Sequence, residues 1–273
     1  MKLPEGSLLK PFVAQRLADI AKAKAKRSIG QLQGKIGEMP VTRGFAGALA
    51  AQYRQSGKPG VIAEIKGASP FEPAWRRPVN YRDLGEDFEA VGATCLSVAI
   101  ERRFFGGSNA DLATVSSAVQ IPVLARDVVI DFYQVLEARN AGADAVLLSA
   151  ALLGDSLAEF IERTTTVALD PLVQVHSERE LEQALAAGAT LICITNRDIH
   201  SFELLPQTCA TLLPMVPADR ALAVAEGGLG TADDIARMGQ AGAKAVLLGM
   251  ALMKDSDPAG VLERALGIET VED

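Results

Sequence analysis

Short runs of apolar residues alternate along most of this chain with longer stretches whose apolar residues recur every third or fourth position. The runs at 61–65, 95–98, 123–125, 145–148, 172–175, 191–194, 222–225 and 245–248 are largely apolar, the pattern of strands covered on both faces of a parallel sheet. Helical spacing fills 81–90, 110–118, 132–141, 157–168, 178–187, 202–213, 231–239 and 258–266. Two more helices are predicted before the first strand, over 8–25 and 41–55. The first ends in Lys22, Lys24, Lys26 and Arg27, read as a solvated basic face, and Ser56-Gly57-Lys58-Pro59 closes the second.

Strand–helix alternation implies parallel strands joined by right-handed crossovers. Val91-Gly92-Ala93, Ala141-Gly142-Ala143, Ala187-Gly188-Ala189 and Ala241-Gly242-Ala243 each end a helix and launch a strand. They recur at intervals of about fifty residues, two strand–helix units per interval. Such a series closes as a barrel more naturally than it forms an open sheet. The expected fold is α/β, a single (β/α)8 TIM barrel with an N-terminal helical extension. One domain spans 1–273, with the extension at 1–59 and the barrel at 60–273.

Composition narrows the function. Hydrophobic residues make up 49% of the chain and charged residues 22%, as in an ordinary globular protein. The net charge is −7, and no Lys/Arg cluster is interleaved with aromatics, which argues against nucleic acid as a partner. There is no 18-residue apolar run and no apolar leader with a cleavage site, so no membrane partner and a cytoplasmic location are expected. The three cysteines form no C-x-x-C pair, and His176 and His200 lack ligand spacing, so no metal is expected.

The candidate chemistry begins on the first strand, Val61-Ile62-Ala63-Glu64-Ile65-Lys66, followed by Gly67-Ala68-Ser69-Pro70. Glu64 and Lys66 are two apart and share a side of the strand. Opposite charges in an apolar strand are costly unless they pair or do chemistry. The other strands also lead from apolar runs into polar ends: Glu101, Arg126-Asp127, Ser149, Gln174 with His176, Thr195 with Arg197, Glu226 and Gly249. Barrel chemistry sits at those ends. Glu226-Gly227-Gly228-Leu229-Gly230-Thr231 and Leu248-Gly249-Met250-Ala251-Leu252 follow strands seven and eight, where backbone N–H groups and a short helix form a phosphate site. Ser69 adds a hydroxyl. Trp75, in the loop after strand one, is either packed on the surface or a lid over an aromatic ligand.

In combination and in order, Ile62-Ala63-Glu64-Ile65-Lys66-Gly67-Ala68-Ser69-Pro70, Phe104-Phe105-Gly106-Gly107-Ser108, the segment from Asp127 to Gln134, Val173-Gln174-Val175-His176, Asn196-Arg197-Asp198 and Gly249-Met250-Ala251-Leu252-Met253 resemble the signatures of indole-3-glycerol phosphate synthases. The resemblance covers essentially the whole chain. It implies a (β/α)8 barrel without a cofactor that converts 1-(2-carboxyphenylamino)-1-deoxyribulose 5-phosphate to indole-3-glycerol phosphate, with ring closure and loss of CO₂ and water. It also implies association with other enzymes of tryptophan biosynthesis. Lys66 matches the family's strand-one lysine, an acid and carboxylate-binding group, and Glu64 the neighbouring glutamate. Ser69, Gly228 and Gly249 match phosphate contacts, Arg197 the arginine after strand six, and Glu226 the strand-seven glutamate.

The departures fall at the chemistry. Where the family has its strand-three lysine, the general acid, this chain has Arg126; for the strand-five glutamate, a general base, it has Gln174. Thr195 replaces an asparagine, Gly227 a serine, Met250 a small or polar residue and Phe132 a proline. Arginine gives up a proton poorly at neutral pH, and glutamine is no base. The expectation is a carboxy-lyase with weakened or retargeted activity, carried by Lys66, Glu64, Arg126, Gln174 and Glu226. Its phosphorylated small-molecule ligand is held by Ser69, Trp75, Thr195, Arg197, Gly227, Gly228, Gly249 and Met250. The alternative is a non-catalytic phosphosugar-binding barrel acting as a sensor or scaffold.

Overall fold

A computed structural model describes residues 3–268, so both ends of the expected 1–273 domain lie outside the described residues. The strands are β1 (Gly60–Ile65), β2 (Cys95–Ala99), β3 (Val123–Arg126), β4 (Ala145–Ser149), β5 (Asp170–Val175), β6 (Leu191–Thr195), β7 (Leu222–Glu226) and β8 (Ala245–Leu248). Each falls within a residue or two of the run that predicted it. All are parallel to their neighbours, and β8 pairs with β1 to close the barrel in sequence order.

Alternation along each strand divides the apolar residues into two cores. Val61, Ala63, Ile65, Leu96, Val98, Val123, Ala125, Val173 and Val175 point outward and pack under the surrounding helices. Ile62, Cys95, Leu124, Leu147, Leu172, Leu191, Cys193, Val224 and Leu247 point inward and fill the barrel. The same parity carries Glu64, Ser97, Arg126, Ser149, Gln174, Thr195 and Glu226 to the inside, one layer above that apolar filling. The strands therefore lift their polar residues to a single level at the C-terminal mouth.

Three helices precede the barrel: α1 (Lys10–Lys26), α2 (Ile29–Ile36) and α3 (Phe45–Ser56). Phe45 and Leu49 of α3 pack against the interior residues and plug the N-terminal end. α2 was absent from the sequence expectation because Gly30 and Gly34 weaken its helical pattern. A capping box between Ser28 and Gln31 and the burial of Leu32 hold it in place. The basic end of α1 is less solvated than expected: Lys24 pairs with Asp131 at 2.5 Å, and Arg27 donates to Asn140 at 3.0 Å.

One predicted helix is corrected. Instead of 202–213, only Thr208–Leu212 is α-helical, followed by a 3₁₀ turn at Leu213–Met215. Pro206 disfavours helical backbone at the residue before it. Phe202 has φ +63°, and Asn196 takes the segment's amides instead, its carbonyl accepting from Leu205 and its side chain from Cys209. No described helix is long and apolar enough to cross a membrane.

Candidate active site

The mouth of the barrel holds a cavity of about 460 Å³, of the size that encloses one small ligand. Its floor is the polar layer. Lys66 donates to Glu64 Oε1 at 2.6 Å, and Ser97 to Glu64 Oε2 at 3.4 Å. Arg126 Nε lies 3.1 Å from Glu64 Oε2. The fork of Arg126 reaches across the barrel to Glu226, with Nη1 2.5 Å from Oε2 and Nη2 3.3 Å from Oε1. Gln174 also donates to Glu226 Oε1. Glu64, Lys66, Glu226 and Gln174 are all buried.

Four charges in a buried layer persist because each is paired. Burial pushes the Glu64 carboxyl up, but Arg126 and then Lys66 outweigh it and hold it below the usual carboxylate range. Burial also works against the Arg126 charge, yet Glu226 and Glu64 hold its proton more firmly than in a free arginine. Arg126 is thus a fixed positive charge and no proton donor. Glu226 meets three donor groups already, so its oxygens are engaged before any ligand arrives.

The rim divides into two unlike halves. On the β7–β8 side the wall is Gly227, Gly228, Leu229, Gly230, Thr231, Gly249 and Met250. Gly249 leaves space for the floor pair: a Cβ there would stand 2.7 Å from Glu64 Oε1 and 3.0 Å from Lys66 Nζ, so those side chains would have to shift. Gly227 lies at φ +96°, and a Cβ would meet Asn196 N at 3.0 Å. A serine at this position would be strained in this backbone. Met250–Met253 is a short helix whose first amides have no partner within it. On the other side stand Leu9 and Phe12 of the N-terminal segment, with Phe71, Phe105, Val128, Leu147 and Leu152. Arg197 stacks on Phe71, 4.2 Å from the ring centroid, and donates to the Phe202 carbonyl at 2.6 Å. Thr195 accepts from the Arg197 amide at 3.1 Å.

The structure thus gathers eleven of the predicted site residues around one cavity: Glu64, Lys66, Arg126, Gln174, Thr195, Arg197, Glu226, Gly227, Gly228, Gly249 and Met250. Ser69 and Trp75 stand outside its wall. Ser69 is buried and its hydroxyl accepts from the Phe71 amide at 3.3 Å, while Trp75 packs, half-buried, against the outer core. Glu101 turns its loop by accepting from the Arg103 and Phe104 amides. Asp127 anchors α1 through Arg16 at 2.6 Å. Sequence reasoning assigned no site role to Leu9, Phe12 or Phe71, and marked Ser149 only as one of the polar strand ends. The first three looked like any other apolar residues, and no local signal showed that they face a cavity.

A family model described as indole-3-glycerol phosphate synthase matches residues 9–264, nearly the whole chain. The chain belongs to the indole-3-glycerol phosphate synthase family. Among curated relatives, a protein of that name from a Nocardioides species is 38% identical over 97% of this chain and 100% of its own. Another from Laribacter hongkongensis is 36% identical over 93% of this chain and 97% of its own. A third, from a Polaromonas species, is 37% identical over 96% and 99%. Family membership confirms the barrel reading, and the ion-pair floor shows how a member accommodates Arg126 and Gln174: both side chains turn to Glu226.

Proposed function

We propose that this barrel is a carboxy-lyase of the indole-3-glycerol phosphate synthase type, with the tryptophan-biosynthetic reaction or a close variant of it as its chemistry. Its substrate is 1-(2-carboxyphenylamino)-1-deoxyribulose 5-phosphate or a closely related phosphorylated aromatic amino-sugar. The observation that carries this reading is the buried Lys66–Glu64 pair on the floor, lying between a glycine-walled and an aromatic-walled half. The glycine half suits a phosphate, which backbone amides of Gly228, Gly249 and Met250 would hold, and the aromatic half suits an arene.

Ring closure needs a proton at the ketone oxygen while a ring carbon attacks its carbon; loss of CO₂ and then of water follows. With Arg126 unable to give a proton, Lys66 is the acid that the floor retains. Glu64 orients the Lys66 ammonium, and Arg126 remains beside Glu64 as its positive partner when the proton passes to the ketone oxygen. Arg126 supplies fixed positive charge, and Gln174 holds Glu226 in place. Arg197 and Thr195 organise the rim beside Phe71.

The saturation of Glu226 by Arg126 and Gln174 favours a second reading: a barrel that binds a phosphosugar without turning it over, as a sensor or scaffold. A fluorescence assay for the indole product, with the carboxyphenylamino-deoxyribulose phosphate as substrate, separates the two. Turnover that Lys66→Ala lowers by about 10² or more supports the lyase. Saturable binding with no turnover supports the second reading.

A further inference from the structure

The most informative unexplained group is the hydroxyl of Ser149. It is the last inward residue of β4, its side chain lines the cavity, and its Oγ is buried with no hydrogen-bond partner among the described residues. A serine at a strand end commonly caps the helix that follows; Ser149 precedes the helix Ala150–Leu153 and makes no such bond. A buried hydroxyl left unpaired carries a desolvation cost, so its presence calls for a partner that the folded chain does not supply.

Its surroundings indicate that partner. Ser149 is in register with Gln174 on β5, and both side chains point into the barrel. The Gln174 amide N–H is used on Glu226, and its carbonyl oxygen accepts from no described group. The two residues together present a hydroxyl and a carbonyl acceptor. Leu147, Leu152 and Val128 surround this spot on the cavity wall. In a barrel closed in the order β1 to β8, β4 stands diametrically across from β8. A ligand whose phosphate lies on the β7–β8 glycines therefore extends its far, aromatic end toward Ser149.

We propose that Ser149 and Gln174 read a hydroxyl substituent on the aromatic ring of the substrate, making this barrel selective for a ring-hydroxylated carboxyphenylamino-deoxyribulose phosphate. A hydroxyl both donates and accepts, which matches the Gln174 carbonyl and the Ser149 hydroxyl at once. A bare ring would leave both unpaired, the condition under which a site discriminates most strongly. The proposal rests on the phosphate-and-arene orientation given above.

Calorimetric titration tests it. The ligands are the carboxyphenylamino-deoxyribulose phosphate and its ring-hydroxylated isomers, each with the ketone reduced to an alcohol so that no turnover occurs. One hydroxylated isomer is expected to bind the wild type about tenfold or more tighter than the bare ring, and Ser149→Ala lowers that ratio severalfold, leaving only the share that the Gln174 carbonyl carries. The thermal midpoint of Ser149→Ala, expected to equal or exceed that of the wild type because an unpaired hydroxyl is removed, shows that the variant folds. If wild type and variant bind all ligands without preference, the selectivity is overturned while the functional reading survives. If no phosphorylated ligand binds, both fall.

Discussion

Arg126 shows how much one residue decides in this site. Its Nε faces Glu64, its fork faces Glu226, and it thereby joins β1 to β7 across the barrel. A lysine has one ammonium and cannot present that planar fork to two carboxylates. Arg126→Met leaves Glu64 with Lys66 and Ser97, but leaves Glu226 a buried carboxylate with only the neutral Gln174 amide as its side-chain donor. The expected cost is about 3–5 kcal/mol of stability, read as a lowered urea midpoint with unchanged slope. A variant as stable as the wild type would show that the network adds no net stability.

At the scale of elements, the loops after β5 and β6 are tied by the two histidines. His176 donates through Nδ1 to Glu180 at 2.9 Å and lies 3.8 Å from Asp198 through Nε2; its ring is 6.0 Å from that of His200. His200 in turn meets Ser7 at 3.0 Å, and its carbonyl accepts from the Leu8 amide, so the clasp continues into the segment that roofs the cavity. Burial lowers the His176 pKa, but the hydrogen bond and charge of Glu180, with Asp198, outweigh it and raise it above the ordinary 6.5. A group whose pKa is raised on folding stabilises the fold fully below its unfolded pKa, and that contribution is lost as pH rises through the folded one. Stability is therefore expected to fall from below pH 6.5 to the alkaline side of the folded pKa, and His176→Gln to flatten that slope. Urea midpoints across this range check it. Asp198, whose pKa is lowered by its backbone hydrogen bonds against the effect of burial, acts in a separate, more acidic window.

The whole molecule separates stability from chemistry by its two ends. At the N-terminal end Arg43, between α2 and α3, clamps the barrel bottom. It donates to Asp144 at 2.8 Å, to the carbonyls of Ser116, Val119 and Gly142, and to the Ser116 hydroxyl. Arg43→Ala leaves Asp144 buried with only backbone donors, so a loss of about 3 kcal/mol is expected. The kinetic constants of the folded fraction stay unchanged, since nothing in this clamp reaches the mouth. A shift in KM without loss of stability would contradict that division.

Local pattern alone was enough to determine the strands, the barrel and the level of the polar layer. Apolar runs of strand length and the recurrent Gly92, Gly142, Gly188 and Gly242 turns are written in nearest-neighbour chemistry, and side-chain parity follows from counting residues. Glu64 and Lys66 were legible as a pair because they are two positions apart on one strand. Helix α2 was not, because its glycines mask a segment held by Ser28 and Leu32, nor was the irregular loop before Thr208, whose amides turn to Asn196. Only the closed barrel decided that Arg126 and Gln174 both turn to Glu226, that Phe12 roofs the cavity while Trp75 packs outside it, and that the Ser149 hydroxyl has no partner. Spacing tells which way a side chain points; what stands opposite it, on a strand a hundred residues away, is settled when the ring of strands closes.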